Sequence, residues 1–244
     1  LGMEYICFRA ADGKGVAEYT VDEVKENILP RLNAAGVKVS SLGSPIGKIK
    51  LDADFEAHLD TFRHTLEIAH ILGAENLRLF SFYTKGFDPA DCRGQVMDWM
   101  GRMLEVGKDS GINLCHENEK GIYGDNAQRC FELLEAFPQM DGIFDPANFI
   151  QCGVEILPAW EMLKDRICYL HVKDALADGT VVPAGYGVGK LDTVVADFLS
   201  RGGQVLTLEP HLAEFCGLKG LEQEGERTIV GSARFCFRDN ALPF

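Results

Sequence analysis

Apolar residues gather in short runs that recur along the chain, each ending in polar residues. The runs predict strands at Glu4–Arg9, Val37–Leu42, Asn76–Tyr83, Ile112–Glu119, Gly142–Asn148, Ile167–Asp174 and Gln204–His211. Between them the period changes from two to that of a helix. Phe55, Leu59, Phe62, Leu66, Ala69 and Leu72 form one stripe over Asp54–Leu72, and Val96, Met100 and Leu104 another over Cys92–Val106. Shorter helical stretches cover Asn126–Phe137 and Thr193–Ser200. Gly36, Gly73, Gly111 and Gly202 or Gly203 follow helical runs, where a helix C-terminus favours glycine.

Strands and helices alternating at this spacing predict parallel βαβ units. An open doubly wound sheet would carry a glycine-rich phosphate loop after its first strand, and no such loop or Walker pattern is present. A TIM (β/α)8-type barrel fits better, and 244 residues suit one such domain spanning 1–244. Seven strands are found rather than eight. Leu1-Gly2-Met3 reads as the end of a helix feeding a strand, so the first strand–helix unit is expected to be missing. Glu4–Arg9 and Gln204–His211 should then flank a gap or be closed by a partner chain. A last helix is expected from about Ser232.

Charge and cysteine usage narrow the partners. The formal net charge is −13, from 37 acidic and 24 basic residues, which argues against nucleic-acid and anionic-membrane partners. No apolar run approaches the roughly 18 residues of a membrane span. The eight cysteines form no C-x-x-C pair and lie mostly among apolar neighbours. They read as reduced, buried thiols of a cytoplasmic protein. A homo-oligomer is compatible with all of this.

Chemistry concentrates at the ends of the last four strands, where a barrel places its active site. These ends carry Glu117 and Glu119, Asp145 and Asn148, His171 and Lys173, and Glu209 and His211. Side-chain parity gives them a common direction. Tyr169, His171 and Lys173 share a face opposite Cys168, Leu170 and Val172. Thr207, Glu209 and His211 share a face opposite Leu206 and Leu208. The apolar faces should meet the helices and the polar faces the barrel mouth. Glu117, Asp145, His171 and Glu209 then make a cage for a divalent metal. Three carboxylates and one imidazole suit Mn2+ best, with Mg2+, Co2+ or Zn2+ also fitting.

Several strings resemble the xylose isomerase-like barrel superfamily, in its sugar phosphate isomerase/epimerase group with the D-tagatose 3-epimerase-like enzymes. They are Ser40-Ser-Leu-Gly-Ser-Pro-Ile-Gly47, Arg78-Leu-Phe-Ser-Phe-Tyr83, His116-Glu-Asn-Glu-Lys-Gly-Ile-Tyr-Gly-Asp125, Phe144-Asp-Pro-Ala-Asn-Phe149, His171-Val-Lys-Asp174 and Leu208-Glu-Pro-His211. The likeness runs to about residue 220. It implies that Glu117, Asp145, His171 and Glu209 are metal ligands and that Glu117 and Glu209 are the paired acid/base groups. Two departures touch substrate identity. Asn148 stands where many epimerases have a substrate-contacting histidine, and Tyr186, within Gly185-Tyr-Gly187-Val-Gly189, stands where a Gly-Glu-Gly loop has its glutamate.

The expected reaction is isomerisation or epimerisation of a small sugar or related hydroxy-ketone. A Lewis acid holds the carbonyl and hydroxyl oxygens, one carboxylate removes the carbon-bound proton and a second returns it. The alternatives are an inositol-ketone dehydratase, a non-catalytic sugar-binding barrel, an inactive fragment and, disfavoured by charge, an apurinic endonuclease. Asn148, Lys173, His211 and Glu119 are candidate substrate contacts. Lys173 either holds an oxyanion or phosphate or pairs with Glu119 or Asp174. His211 either contacts hydroxyls or bonds a ligand carboxylate. Arg9 and Arg78 are anion clamps or ion-pair partners.

Overall fold

The computed structural model describes residues 2–209. Seven parallel strands form one sheet in chain order: β1 (Tyr5–Phe8), β2 (Lys38–Leu42), β3 (Asn76–Leu79), β4 (Asn113–Glu117), β5 (Asp141–Phe144), β6 (Ile167–Val172) and β7 (Val205–Leu208). Every neighbouring pair in that order is parallel. Strands β1 and β7 are not hydrogen-bonded to each other. Among the described residues the sheet is thus a nearly closed TIM-type barrel with one strand–helix unit fewer than eight, as the seven-strand count requires.

Helices α1 (Leu29–Ala35), α2 (Phe55–Leu72), α3 (Pro89–Gly107), α4 (Ala127–Ala136), α5 (Pro146–Gln151), α6 (Ile156–Leu163) and α7 (Leu191–Ser200) fill the crossovers. The apolar stripe of α2 is buried at Phe55, Leu59, Phe62, Leu66, Ala69 and Leu72. Asp54 caps that helix by accepting from the Ala57 N–H, and Gly73 ends it in the left-handed conformation. Trp99 of α3 stacks on Phe55 at 4.3 Å. Trp160 of α6 packs edge-on against Phe144 and donates to Asp197. The helical stretches over 126–137 and 193–200 are realised as α4 and α7, while α6 had no counterpart in the sequence reading.

Parity along the strands separates two cores. Tyr169, Cys115 and Ile143 fill the barrel interior, whereas Leu170 belongs to the larger core between sheet and helices. Cys168 breaks the expected alternation. The pairing of β5 with β6 skips it, so this bulged residue turns toward the interior, with its sulfur 3.2 Å from that of Cys115. Leu206 and Leu208 do not meet a helix among the described residues; they are 41% and 64% exposed.

Several strands stop earlier than expected, and three of them for local reasons. β3 ends at Leu79 because the backbone then turns to the preceding crossover: Phe80 and Phe82 donate to the Ile46 and Gly47 carbonyls, and Phe82 takes a left-handed backbone (φ 63°). β5 ends at Phe144 because Asp145-Pro146 opens helix α5, with Asp145 as cap and proline in the first turn. β6 ends at Val172, and Asp174 begins a separate two-stranded ribbon with Val181–Val182. His211, Cys216, Cys236 and the helix expected from Ser232 lie outside the described residues. The six described cysteines are free thiols. No helix among the described residues is long and apolar enough to cross a membrane.

Candidate metal centre and active site

The four strand-end residues converge. Glu117, Asp145, His171 and Glu209 each bring one ligand atom to within 4.8 Å of the others. Two ligands on opposite sides of one ion at about 2.2–2.4 Å stand about 4.4–4.8 Å apart, so this spacing suits a single divalent ion. His171 turns Nδ1 toward the carboxylates, 3.1 Å from Glu117, 3.3 Å from Asp145 and 3.8 Å from Glu209. An imidazole nitrogen aimed at three carboxylates in a buried pocket is a donor set for a hard to borderline cation.

Local structure fixes each ligand. Glu117 closes β4 with both oxygens engaged. Arg78 donates to Oε2 at 2.9 Å and the Asn148 amide to Oε1 at 3.1 Å. Asp145 is pinned through its backbone by Asn118, which accepts from its N–H and donates to its carbonyl, each at 2.9 Å. Its Oδ1 caps α5 by accepting from the Asn148 N–H, leaving Oδ2 toward His171. Glu209 follows β7, its Oε1 3.4 Å from Arg78 and 3.6 Å from Arg9. The Arg9–Glu209 pair therefore spans the gap between β1 and β7.

The field of these charges shows in the acid–base behaviour. Burial pushes the Glu117 carboxyl up, but His171 and Arg78 outweigh it and hold it well below the usual carboxylate range. The same neighbours overcome burial at Glu209 and lower it to about 2. Burial opposes a charge on His171, yet Glu117 and Glu209 raise its pKa well above the ordinary imidazole value.

The remaining sequence candidates surround the cage. Asn148 bridges Glu117, the Asn118 carbonyl and the Lys173 ammonium. Lys173 lies 3.6 Å from Asp145 Oδ2. Glu119 stands outside the cage and accepts from Lys48 at 2.9 Å. Asp174 points its carboxylate at the N–H groups of Gly185, Gly187 and Gly189 at 2.9–3.0 Å, locking the following loop. A Cβ at Gly187 would sit 2.3 Å from that carboxylate, so the loop closes only with glycine there. Tyr186 at its tip is exposed.

Arg78 has a larger part than the sequence suggested. It is 3% exposed, donates to the Gly43 and Ser44 carbonyls, and lies over the Phe80 ring. Phe80 is itself buried beneath Arg78 and Lys48. Lys48 and Asn118 were not singled out from the sequence. The strand-end position of Asn118, between two glutamates, was the available signal; a loop lysine carries none.

A family model described as xylose isomerase-like TIM barrel matches residues 1–231. The chain belongs to that family. Solved structures of similar shape include a xylose isomerase-like TIM barrel protein from Mycobacterium smegmatis in complex with magnesium. It is 15% identical with a TM-score of 0.70, over 89% of this chain and 80% of that one. A D-tagatose 3-epimerase-like protein is 15% identical with a TM-score of 0.64, over 75% and 74%. The probable 3-DHS dehydratase AsbF from Bacillus anthracis is 16% identical with a TM-score of 0.64, over 76% and 74%. At such identities the likeness is one of fold. A search of curated proteins finds no match.

Proposed function

We propose that this family member is a divalent-metal-dependent isomerase or epimerase of a small sugar or related hydroxy-ketone. The observation that carries the reading is the convergence of Glu117, Asp145, His171 and Glu209 at the strand ends, with ligand atoms within 4.8 Å. The magnesium complex and the epimerase-like neighbour support it by fold. Mn2+ is the ion assigned from the donor set. A divalent ion held by these four residues supplies a Lewis acid for the carbonyl and adjacent hydroxyl oxygens.

The chain's own residues supply the rest. Asp145 and His171 serve as ligands alone. Glu117 and Glu209 come from strands separated by two others and approach the same point from different sides of the mouth. One removes the carbon-bound proton and the other returns it, either on the opposite face or at the neighbouring carbon. Arg78 touches both carboxylates and keeps them ionised and oriented.

The test is incubation of the Mn2+-loaded protein in D2O with a panel of aldoses, ketoses and keto acids, read by NMR and mass spectrometry. Metal-dependent deuterium at a carbon next to a carbonyl is the expected result. A product isomeric with its substrate identifies isomerisation or epimerisation, and loss of water identifies a dehydratase on the same site. Deuterium incorporation that persists in excess chelator would overturn the metal-dependent mechanism.

A further inference from the structure

Four carboxylates at the mouth of the barrel each stand beside a cation. Glu117 has Arg78 at 2.9 Å, Glu209 has Arg78 at 3.4 Å and Arg9 at 3.6 Å, Asp145 has Lys173 at 3.6 Å, and Glu119 has Lys48 at 2.9 Å. Four cations thus face four carboxylates in a chain whose net charge is −13. A neutral His171 and a divalent ion bring this set to about +2. Three ligand carboxylates already suit a divalent ion, and basic groups beside them oppose its binding. Serving a metal and a neutral sugar gives no reason for Lys173 to stand against the ligand Asp145. A buried surplus of positive charge is costly unless a ligand compensates it.

Arg78 is committed to two carbonyls and two carboxylates, and Arg9 pairs with Glu209. Lys48 and Lys173 are different. An ammonium has three donors. Lys48 gives one to Glu119, and Lys173 gives one to Asn148 at 2.8 Å. Lys173 reaches the same strand end through Asn148, whose amide also donates to the carbonyl of Asn118, the residue before Glu119. Lys48, Glu119 and Lys173 therefore form one tier beside the cage. The side chains of Lys48 and Glu119 are 9% and 16% exposed, so this tier reaches the opening.

We propose that the substrate is acidic, a small hydroxy-ketone or keto-sugar derivative whose carboxylate or phosphate is taken by Lys48 and Lys173 while its carbonyl end reaches the cage. Glu119 holds Lys48 until that anion arrives. The proposal rests on the metal-site reading above and names the substrate class for it.

Hydroxamates test it, because their two adjacent oxygens imitate a hydroxy-ketone and chelate divalent ions. Glycolohydroxamate is the neutral probe, malonate monohydroxamate the carboxylate probe and phosphoglycolohydroxamate the phosphate probe. Calorimetry on the Mn2+-loaded full chain should show at least one acidic probe binding about tenfold or more tightly than glycolohydroxamate, with an advantage that shrinks as salt rises. Which probe gains decides between carboxylate and phosphate. Lys48→Met should remove most of that gain while glycolohydroxamate affinity changes by less than about threefold, and Lys173→Met should remove most of the gain as well. Lys48→Met carries the test if Lys173→Met fails to fold, since Lys48 contacts no cage ligand in the described structure. Equal binding of all three probes, or an acidic preference that survives Lys48→Met undiminished, would overturn the proposal alone. Failure of the chain to bind Mn2+ would overturn it together with the metal-site reading.

Discussion

Replacing Arg78 by methionine separates what the guanidinium does for the fold from what it costs the metal. Methionine keeps the stem over Phe80 and deletes the charge. In the structure that charge meets Glu117 at 2.9 Å and Glu209 at 3.4 Å, in a side chain that is 4% exposed. At an effective dielectric of about 20, each attraction is worth about 5 kcal/mol before desolvation is subtracted. Removing one partner of a buried pair costs about 3–5 kcal/mol net, because the remaining carboxylates lose their compensation. For a chain of this size that lowers Tm by roughly 6–20 °C in chelator.

Mn2+ should reverse part of that loss. The ion would supply to Glu117 and Glu209 the positive charge that arginine supplied, and in the variant it would no longer compete with a guanidinium. Its Kd should tighten about tenfold or more, which returns about 1.4 kcal/mol at saturation. Thermal melts of both proteins in chelator and over a Mn2+ series, with calorimetric Kd values, measure the two terms separately. A variant that binds Mn2+ no more tightly than the parent would refute the competition. A variant within about 1 kcal/mol of the parent in chelator would refute the structural role.

Metal binding should release protons. Nδ1 of His171 must be free to ligate, and its pKa is raised well above the ordinary value, whereas Glu117 and Glu209 are held low and enter already ionised. About one proton should leave per ion, and affinity should fall about tenfold per unit as pH drops below the His171 pKa; calorimetry in buffers of different ionisation enthalpy counts it, and zero release near neutral pH would contradict the assignment. Glu117→Gln and Glu209→Gln should each lose about 10²–10⁴-fold in turnover while retaining metal, with unequal residual solvent exchange; near-normal turnover in both metal-replete variants would end the two-glutamate mechanism. Gly47→Ala should destabilise the mouth by several kcal/mol, since its Cβ would fall 1.9 Å from the Phe80 carbonyl at a backbone φ of +91°; a melt unchanged from the parent would show that the β2–β3 crossover yields easily.

The βα alternation and the convergence of Glu117, Asp145, His171 and Glu209 were legible because both rest on local periods. Two-residue alternation carries Tyr169, His171 and Lys173 to one face, and a strand that ends in polar residues marks its own mouth. The misplaced strand ends have equally local causes that apolarity hides. Phe82 looks like a strand residue but adopts a left-handed backbone, and Asp145-Pro146 is a helix start written into the end of an apolar run. Arg78 was left undecided because its meaning depends on distance along the chain. It reaches Glu117 across 39 residues and Glu209 across 131, contacts that only the closing of the sheet creates.

That long reach also explains why the cluster of carboxylates is lined with cations. Without an ion, the ligand carboxylates would be buried beside one another, and such crowding is costly. Arg78 and Arg9 let the strand ends come together without an ion, and each would weaken an ion's hold in proportion to the help it gave. The two demands are reconciled by position. Arg78 sits on the side of Glu117 that His171 does not occupy: it meets Oε2 while His171 meets Oε1. Lys173 is held back from Asp145 at 3.6 Å by its shorter bond to Asn148. An acidic ligand at Lys173 would draw that positive charge further from the cage, so substrate and metal should each strengthen the binding of the other.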